Sequence, residues 1–245
     1  MTTPVAGENL KGAIFDWDGT LAQIDDREFY CINQTLTTHG VKPIDQDFLV
    51  KNYYQRAYEI GTGPRMVLEA ALSRENRAKI NDVYGTYRRL FHETVDKAKP
   101  QKGALELLAA LKEQGFRLGI ATMRFTRSVV AAELDLMRVS PLVGVLYTRE
   151  ELGLASGLES LEEVVDERTQ LVALALEKLK LRVEDVFLVG DSWWDVRAGK
   201  KLGIKTVLVR TGFARYNDFS KEHADLTVVS LGELEAKLRS NGWSL

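Results

Sequence analysis

Two aspartates stand one residue apart where a short apolar run ends. The stretch is IFDWDGTLAQ, residues 14–23, in which Asp16 and Asp18 are followed at once by Gly19 and Thr20. A second apolar run, FRLGIAT (116–122), closes on Thr122, and a third opens VGDSWWDV, which carries Asp191 and Asp195. Crowded carboxylates repel one another, and burial raises the cost of each charge. Something positive has to stand between them, or one of them has to hold a proton.

The elements that would position these residues follow from the periodicity. GALELLAALKEQG (103–115), TRSVVAAELDLM (126–137), LVALALEKLKL (171–181), WDVRAGKKLG (194–203) and LGELEAKLRSNG (231–242) have helical spacing. Between and around them lie short, uniformly apolar runs: GAIFD (12–16), 116–122, LVGVLYT (142–148), VFLVGD (186–191), KTVLVR (205–210) and DLTVVS (225–230). Apolar strands alternating with helices indicate an α/β fold with a parallel sheet covered on both faces. Asp16, Asp18, Thr20, Thr122, Asp191 and Asp195 then meet at the carboxyl edge of that sheet, where such folds bind ligands. All-oxygen, carboxylate-rich coordination suits Mg2+, which takes one or two carboxylates and a substrate phosphate and keeps several waters.

Residues 22–96 depart from the alternation. EFYCINQTLTTHG (28–40), DQDFLVKNYYQRAYEIG (45–61), RMVLEAALS (65–73) and NDVYGTYRRLFHETV (81–95) all predict helices, with no strand among them. The expected organisation is a core of residues 1–21 and 97–245, with 22–96 inserted as a helical cap over the ligand edge.

FDWDGTL, IATMR and VGDSWWDVRAGKKLGIKTV resemble the haloacid dehalogenase-like hydrolase superfamily, and within it the phosphoglycolate-phosphatase-like branch with an inserted helical cap. The resemblance covers nearly the whole chain and three of the four expected motifs. It implies a Rossmann-like core and a Mg2+-dependent phosphatase acting on a small phosphorylated metabolite. By position, Asp16 would attack phosphorus and form an aspartyl phosphate; Asp18 would serve the leaving oxygen as general acid, then water as general base. Thr122 would hydrogen-bond a phosphoryl oxygen, with Thr20 and Met123 also against the substrate. Asp16, the Asp18 backbone carbonyl and Asp191 would bind Mg2+, and Asp195 would be a further ligand or would orient a metal-bound water.

The fourth motif is missing. The family places a lysine before the helix that precedes G-D-S, and registering that pattern on ALEKL (175–179) puts Asp166 at its position. No lysine lies between Lys112 and Lys178. Arg168 and Arg149 are the candidate replacements; the alternative for Arg168 is a solvated place in the first turn of the helix. With no cation in this role, the protein would be a weak enzyme or a phosphate- or partner-binding protein. A phosphomutase of the same family is the other enzymatic alternative.

In the inserted segment, IGTGPRMVL (60–68) reads as a glycine-rich turn entering a helix, with Arg65 a candidate substrate contact. Tyr53, Tyr54 and Tyr58 face either the core or a ligand; Trp193 and Trp194 are expected to pack; His39 and His92 form no zinc group with cysteine. Cys31 is the single cysteine, which excludes an intrachain disulfide. A net charge of -2 gives no global attraction to nucleic acid or anionic membrane. No apolar run approaches bilayer length, and MTTPVAGENLK has no basic-then-apolar leader pattern, so a cytoplasmic protein is expected.

Overall fold

The computed structural model describes residues 8–59, 63–153 and 158–244. The strands are β1 (Glu8–Asn9), β2 (Gly12–Phe15), β3 (Ala22–Gln23), β4 (Lys99–Pro100), β5 (Arg117–Thr122), β6 (Val145–Thr148), β7 (Val186–Gly190), β8 (Lys205–Val209), β9 (Leu226–Val228) and β10 (Trp243–Ser244). The α-helices are α1 (Asp25–Thr38), α2 (Gln46–Asn52), α3 (Pro64–Ala71), α4 (Ile80–Glu93), α5 (Ala104–Glu113), α6 (Arg127–Leu136), α7 (Leu161–Leu179), α8 (Trp193–Leu202) and α9 (Leu234–Ser240).

Six strands form one sheet in the order β6-β5-β2-β7-β8-β9, and every neighbouring pair is parallel. The uniform apolarity of these runs now has its reason, since both faces are covered. Ala13 and Phe15 of β2 point into a cluster with Ile120, Val189 and helices α5, α6 and α9; Ile14 points the other way, onto Leu171, Val172 and Ala175 of α7. Each fully buried side chain of this size contributes about 1.5–3 kcal/mol. The chain starts at the centre, runs outward through β5 and β6, then returns to β7 and runs out the other side. The reversal at β2 is the switch point at which such sheets bind ligands. The fold is a Rossmann-like α/β core carrying a helical insertion.

The helices between β3 and β4 have an apolar cluster of their own, built on Ile32, Leu36, Leu49, Leu68, Val83 and Phe91. Two connections enter and leave this helical part, and they pair antiparallel, Ala22 with Pro100 and Gln23 with Lys99. Sequence periodicity gives no sign of strands this short, nor of the β1–β10 pair. The single helix predicted over 45–61 is divided. Asp45 caps α2, Tyr53 breaks it at φ -129° and ψ -76°, and a 3-10 turn follows at Tyr54–Arg56. The break turns Tyr53 and Tyr54 edge-on to Phe213, a residue of the loop after β8. Residues 60–62 of the predicted glycine-rich turn lie outside the described residues, as do 154–157.

The helix predicted to begin at residue 171 begins at Leu161, capped by the Ser160 side chain, with Glu162 and Glu163 in its first turn. Its buried stripe runs Val165, Arg168, Leu171, Val172, Ala175, Leu176, Leu179. Arg168 therefore sits two turns inside the helix and is fully buried, not in a solvated first turn. Asp166 faces away and pairs with Lys201.

Candidate active site

The three central strands deliver the predicted motif residues to one place. Asp16 follows β2, Thr122 ends β5 and Asp191 follows β7. Asp195 comes from the first turn of α8, in a capping box with Ser192. Asp16, Asp191 and Asp195 are buried, and each offers a carboxylate oxygen within 4.8 Å of the others. Two glycines make room for the middle one: a Cβ at Gly212 would lie 2.0 Å from Asp191 Oδ2, and one at Gly19 2.7 Å from it, and both residues have positive φ. The Phe213 N–H donates to Asp191 Oδ2 at 2.7 Å and the Thr20 hydroxyl to Oδ1 at 3.0 Å. Thr20 was expected against the substrate. It is instead fully buried, and its hydroxyl is spent on orienting Asp191.

Burial, then the Asp195 charge, pushes the Asp16 carboxyl well above the usual range; Arg168 pulls it back, and Asp191 and Asp18 push it up again. Burial and Asp195 raise Asp191 as well, against the two hydrogen bonds just described. Arg168 is the guanidinium within this group. Its Nε donates to Asp195 Oδ1 at 2.7 Å, its Nη1 bonds the Ala121 carbonyl, and its Nη2 lies 3.6 Å from Asp16 Oδ1. Among the described residues that Nη2 has no hydrogen-bond partner, although it is buried. Three carboxylates against one guanidinium leave the group short of positive charge. A hard dication held by oxygen donors fits that deficit. Arg149, the other candidate for the missing lysine, hydrogen-bonds Glu167, with Nη2 to Oε1 at 2.9 Å.

Asp18 is built differently. Arg124 grips both of its oxygens, Nε to Oδ2 at 2.8 Å and Nη2 to Oδ1. The third nitrogen of Arg124 donates to Glu133 Oε1 at 2.8 Å. Glu133 also takes Arg27 Nη1 at 2.6 Å and the Trp17 indole N–H at 2.7 Å. Arg27 comes from α1 and bonds the Phe91 carbonyl of α4, and both guanidiniums lie over Phe91's ring, 3.9 Å (Arg27) and 4.7 Å (Arg124) from its centroid. Burial works against the Arg124 charge, but Asp18 and Glu133 outweigh it and hold the side chain protonated. Sequence reasoning assigned Arg124 no part. The available signal was its place in IATMR, two residues past the strand-terminal threonine.

A cavity of about 740 Å³ opens between the sheet edge and the inserted helices. Asp16, Asp18, Thr122 and Asp191 form its floor; Met123, Arg124, Arg149 and Trp194 line it from the core. Glu28, Tyr53, Tyr54, Arg65, Arg88 and His92 line it from the helices. Arg65 thus lies on the wall, where it also pairs with Glu69 and Asn81. Trp193 and Tyr58 stack on each other with ring centroids 5.2 Å apart, and the Trp193 N–H holds the Ala57 carbonyl, so they fasten the insertion to α8.

This arrangement matches known proteins. The family description haloacid dehalogenase-like hydrolase fits residues 13–209. Pyrophosphatase PpaX of Bacillus cereus is 26% identical over 202 residues, 82% of this chain and 83% of the relative. A predicted phosphoglycolate phosphatase from Haemophilus somnus shares the fold with a TM-score of 0.72 at 17% identity, over 93% of this chain and 97% of its own. A CbbY mutant from Rhodobacter sphaeroides, solved with xylulose-(1,5)bisphosphate, aligns at TM-score 0.67 and 21% identity, over 96% of this chain and 100% of its own. The chain belongs to the haloacid dehalogenase-like hydrolase family.

Proposed function

We propose that the protein is a Mg2+-dependent phosphatase that hydrolyses a small phosphorylated metabolite through an aspartyl phosphate on Asp16. The carrying observation is the approach of Asp16, Asp191 and Asp195 within 4.8 Å of one another, the first two on the floor of the cavity. Asp16 and Asp191 would hold the Mg2+, which when bound neutralises phosphate oxygens so that an anionic nucleophile can approach. Asp195, with Oδ1 on Arg168 and Oδ2 on the Ser192 amide, fixes the direction of Arg168. In the first step an Asp16 oxygen attacks phosphorus and the P–O bond to the leaving group breaks. Asp18 supplies the proton to that leaving oxygen, then removes one from the water that splits the aspartyl phosphate. Thr122 Oγ1 accepts the Arg124 N–H at 3.2 Å, which leaves its own proton for a phosphoryl oxygen. The Nη2 of Arg168, which has no hydrogen-bond partner among the described residues, would serve Asp16 and the phosphoryl group in place of the missing lysine.

In this reading residues 22–96 are the cap domain, moving against 1–21 and 97–245 to admit substrate and exclude water. No helix among the described residues is long and apolar enough to cross a membrane, and we place the enzyme in the cytoplasm. Phosphate release from a panel of natural phosphomonoesters, with Mg2+ and with chelator, tests the proposal. It expects metal-dependent release from wild type, a phosphorylated protein on acid quench, and neither in Asp16→Asn. Release that persists in Asp16→Asn would sink the mechanism.

A further inference from the structure

We propose that Glu28 is the specificity residue of this cavity: it takes a hydrogen bond from a hydroxyl on the substrate's leaving group, so that the substrate is a phosphorylated polyhydroxy compound. The inference rests on the phosphatase reading and adds to it the chemistry of the far end of the substrate. Glu28 lies in the first turn of α1, is 5% exposed, and lines the cavity beside Asp18. Among the described residues its Oε2 is buried without a hydrogen-bond partner. The acidic groups around it are not in that condition. Asp18 has Arg124, Glu133 has Arg27 and Arg124, and Asp25 accepts the Tyr54 hydroxyl at 2.8 Å. Native proteins seldom bury an acceptor unpaired, because the group forfeits its hydration. An orphan oxygen on a cavity wall is where a ligand supplies the missing partner.

The chemistry of that partner is constrained. A carboxylate or a second phosphate could only accept, from the protonated carboxyl, and would add charge beside Asp18, whereas a hydroxyl serves Glu28 in either protonation state. An ammonium group would have to enter a cavity also lined by Arg65, Arg88, Arg124 and Arg149. A hydroxyl is neutral and brings the proton. Burial and the Asp18 charge push the Glu28 carboxyl up to about 8, so near neutral pH it can accept from one hydroxyl and donate to another. The cavity, at about 740 Å³, suits a sugar-sized leaving group.

The test is kcat/KM of wild type, Glu28→Gln and Glu28→Leu on a pentose phosphate, glycerol phosphate, 2-phosphoglycolate, pyrophosphate and phosphoethanolamine. Wild type is expected to favour the hydroxylated esters. In Glu28→Leu the ratio of kcat/KM for the pentose phosphate to that for 2-phosphoglycolate falls about 10- to 100-fold, mainly through KM. Glu28→Gln, which keeps an acceptor, retains most of the ratio. A wild-type preference for 2-phosphoglycolate, pyrophosphate or phosphoethanolamine overturns the inference, however the variants fold. So does a ratio unmoved in a folded Glu28→Leu. Release by wild type from none of these would strike the phosphatase reading itself, and the inference with it.

Discussion

Asp16 and Asp18 leave the same strand one residue apart, and each meets an arginine from a distant part of the chain. The two meetings differ. Arg124 engages both oxygens of Asp18 and is itself anchored to Glu133. Arg168 keeps its hydrogen bonds for Asp195 and the Ala121 carbonyl and stands 3.6 Å from Asp16 with Nη2 unspent. A nucleophile needs a lone pair facing the phosphorus, so a cation that gripped both oxygens of Asp16 would inhibit it. An acid–base group has the opposite need, to be held until the leaving group arrives. A protonated carboxyl cannot accept from both arms of one guanidinium, so under the proposed mechanism Asp18 would have to give up part of its grip on Arg124 before delivering a proton. Because Arg124 shares Glu133 with Arg27 of α1, the grip is tied to the inserted helices.

The sharpest test of this asymmetry compares the two carboxamides. Asp16→Asn is expected to lower phosphate release by about four orders of magnitude or more, with no phosphorylated protein. Asp18→Asn is expected to lose about 10²- to 10⁴-fold and to accumulate the phosphorylated protein, since water then lacks its base. Equal losses with the intermediate absent from both would erase the distinction. A smaller effect belongs to the arginines. Arg168→Met should cost about 10²- to 10³-fold in kcat, with Arg168→Lys recovering part of it. Arg124→Met should cost less, because it frees Asp18 instead of stripping the phosphoryl site. A reversed order would mean that Arg124 stands in for the lysine.

The sequence carried this difference unevenly. Asp16, Thr122, Asp191 and Asp195 were legible because each lies in a local pattern, at a strand end or in the helix turn just after one. Arg168 was half legible. It was one of two candidates for the missing lysine, but registering the helix at residue 171 hid that Val165, Arg168, Leu171 and Val172 share one buried stripe. An arginine standing in an apolar stripe was the readable sign. Arg124 was opaque because its partners, Asp18, Glu133 and indirectly Arg27, are gathered by tertiary packing. For Thr20, the motif fixes the backbone near the site, but only the fold turns its hydroxyl onto Asp191. The division of 45–61 was hidden because the tyrosines that end α2 pack on Phe213, far along the chain.

The Arg124 side of the comparison also predicts a stability effect. Glu133 is nearly fully buried and pairs with the buried Arg27 and the partly buried Arg124. Breaking one side of such a pair leaves charge stranded, at a cost of about 3–5 kcal/mol. Glu133→Gln should therefore lower Tm by about 6–15 °C at a few degrees per kcal/mol, whereas exposed Glu69→Gln, which loses only a surface pair with Arg65, should move it by about 2 °C or less. Equal shifts would remove the claim that this network joins the inserted helices to the core.

A pH-dependent effect distinguishes Glu28 from the paired carboxylates beside it. Burial first, then Asp18 and Asp25, raise its carboxyl from 4.5 to about 8, while Arg124 and the Tyr53 hydroxyl pull it down. A carboxyl whose pKa is higher folded than unfolded binds its proton more tightly in the native protein. Its contribution to stability is complete below the unfolded pKa near 4.5 and is lost as pH rises through about 8. Wild type should therefore lose stability between pH 5 and 8 relative to Glu28→Gln, which does not titrate. The difference in Tm between the two proteins, followed across that range, isolates Glu28 from Asp16 and Asp191, which titrate in both. It should drift steadily in favour of the variant as pH rises. A flat difference would show Glu28 charged in the folded state, and the orphan oxygen would then have a positive partner.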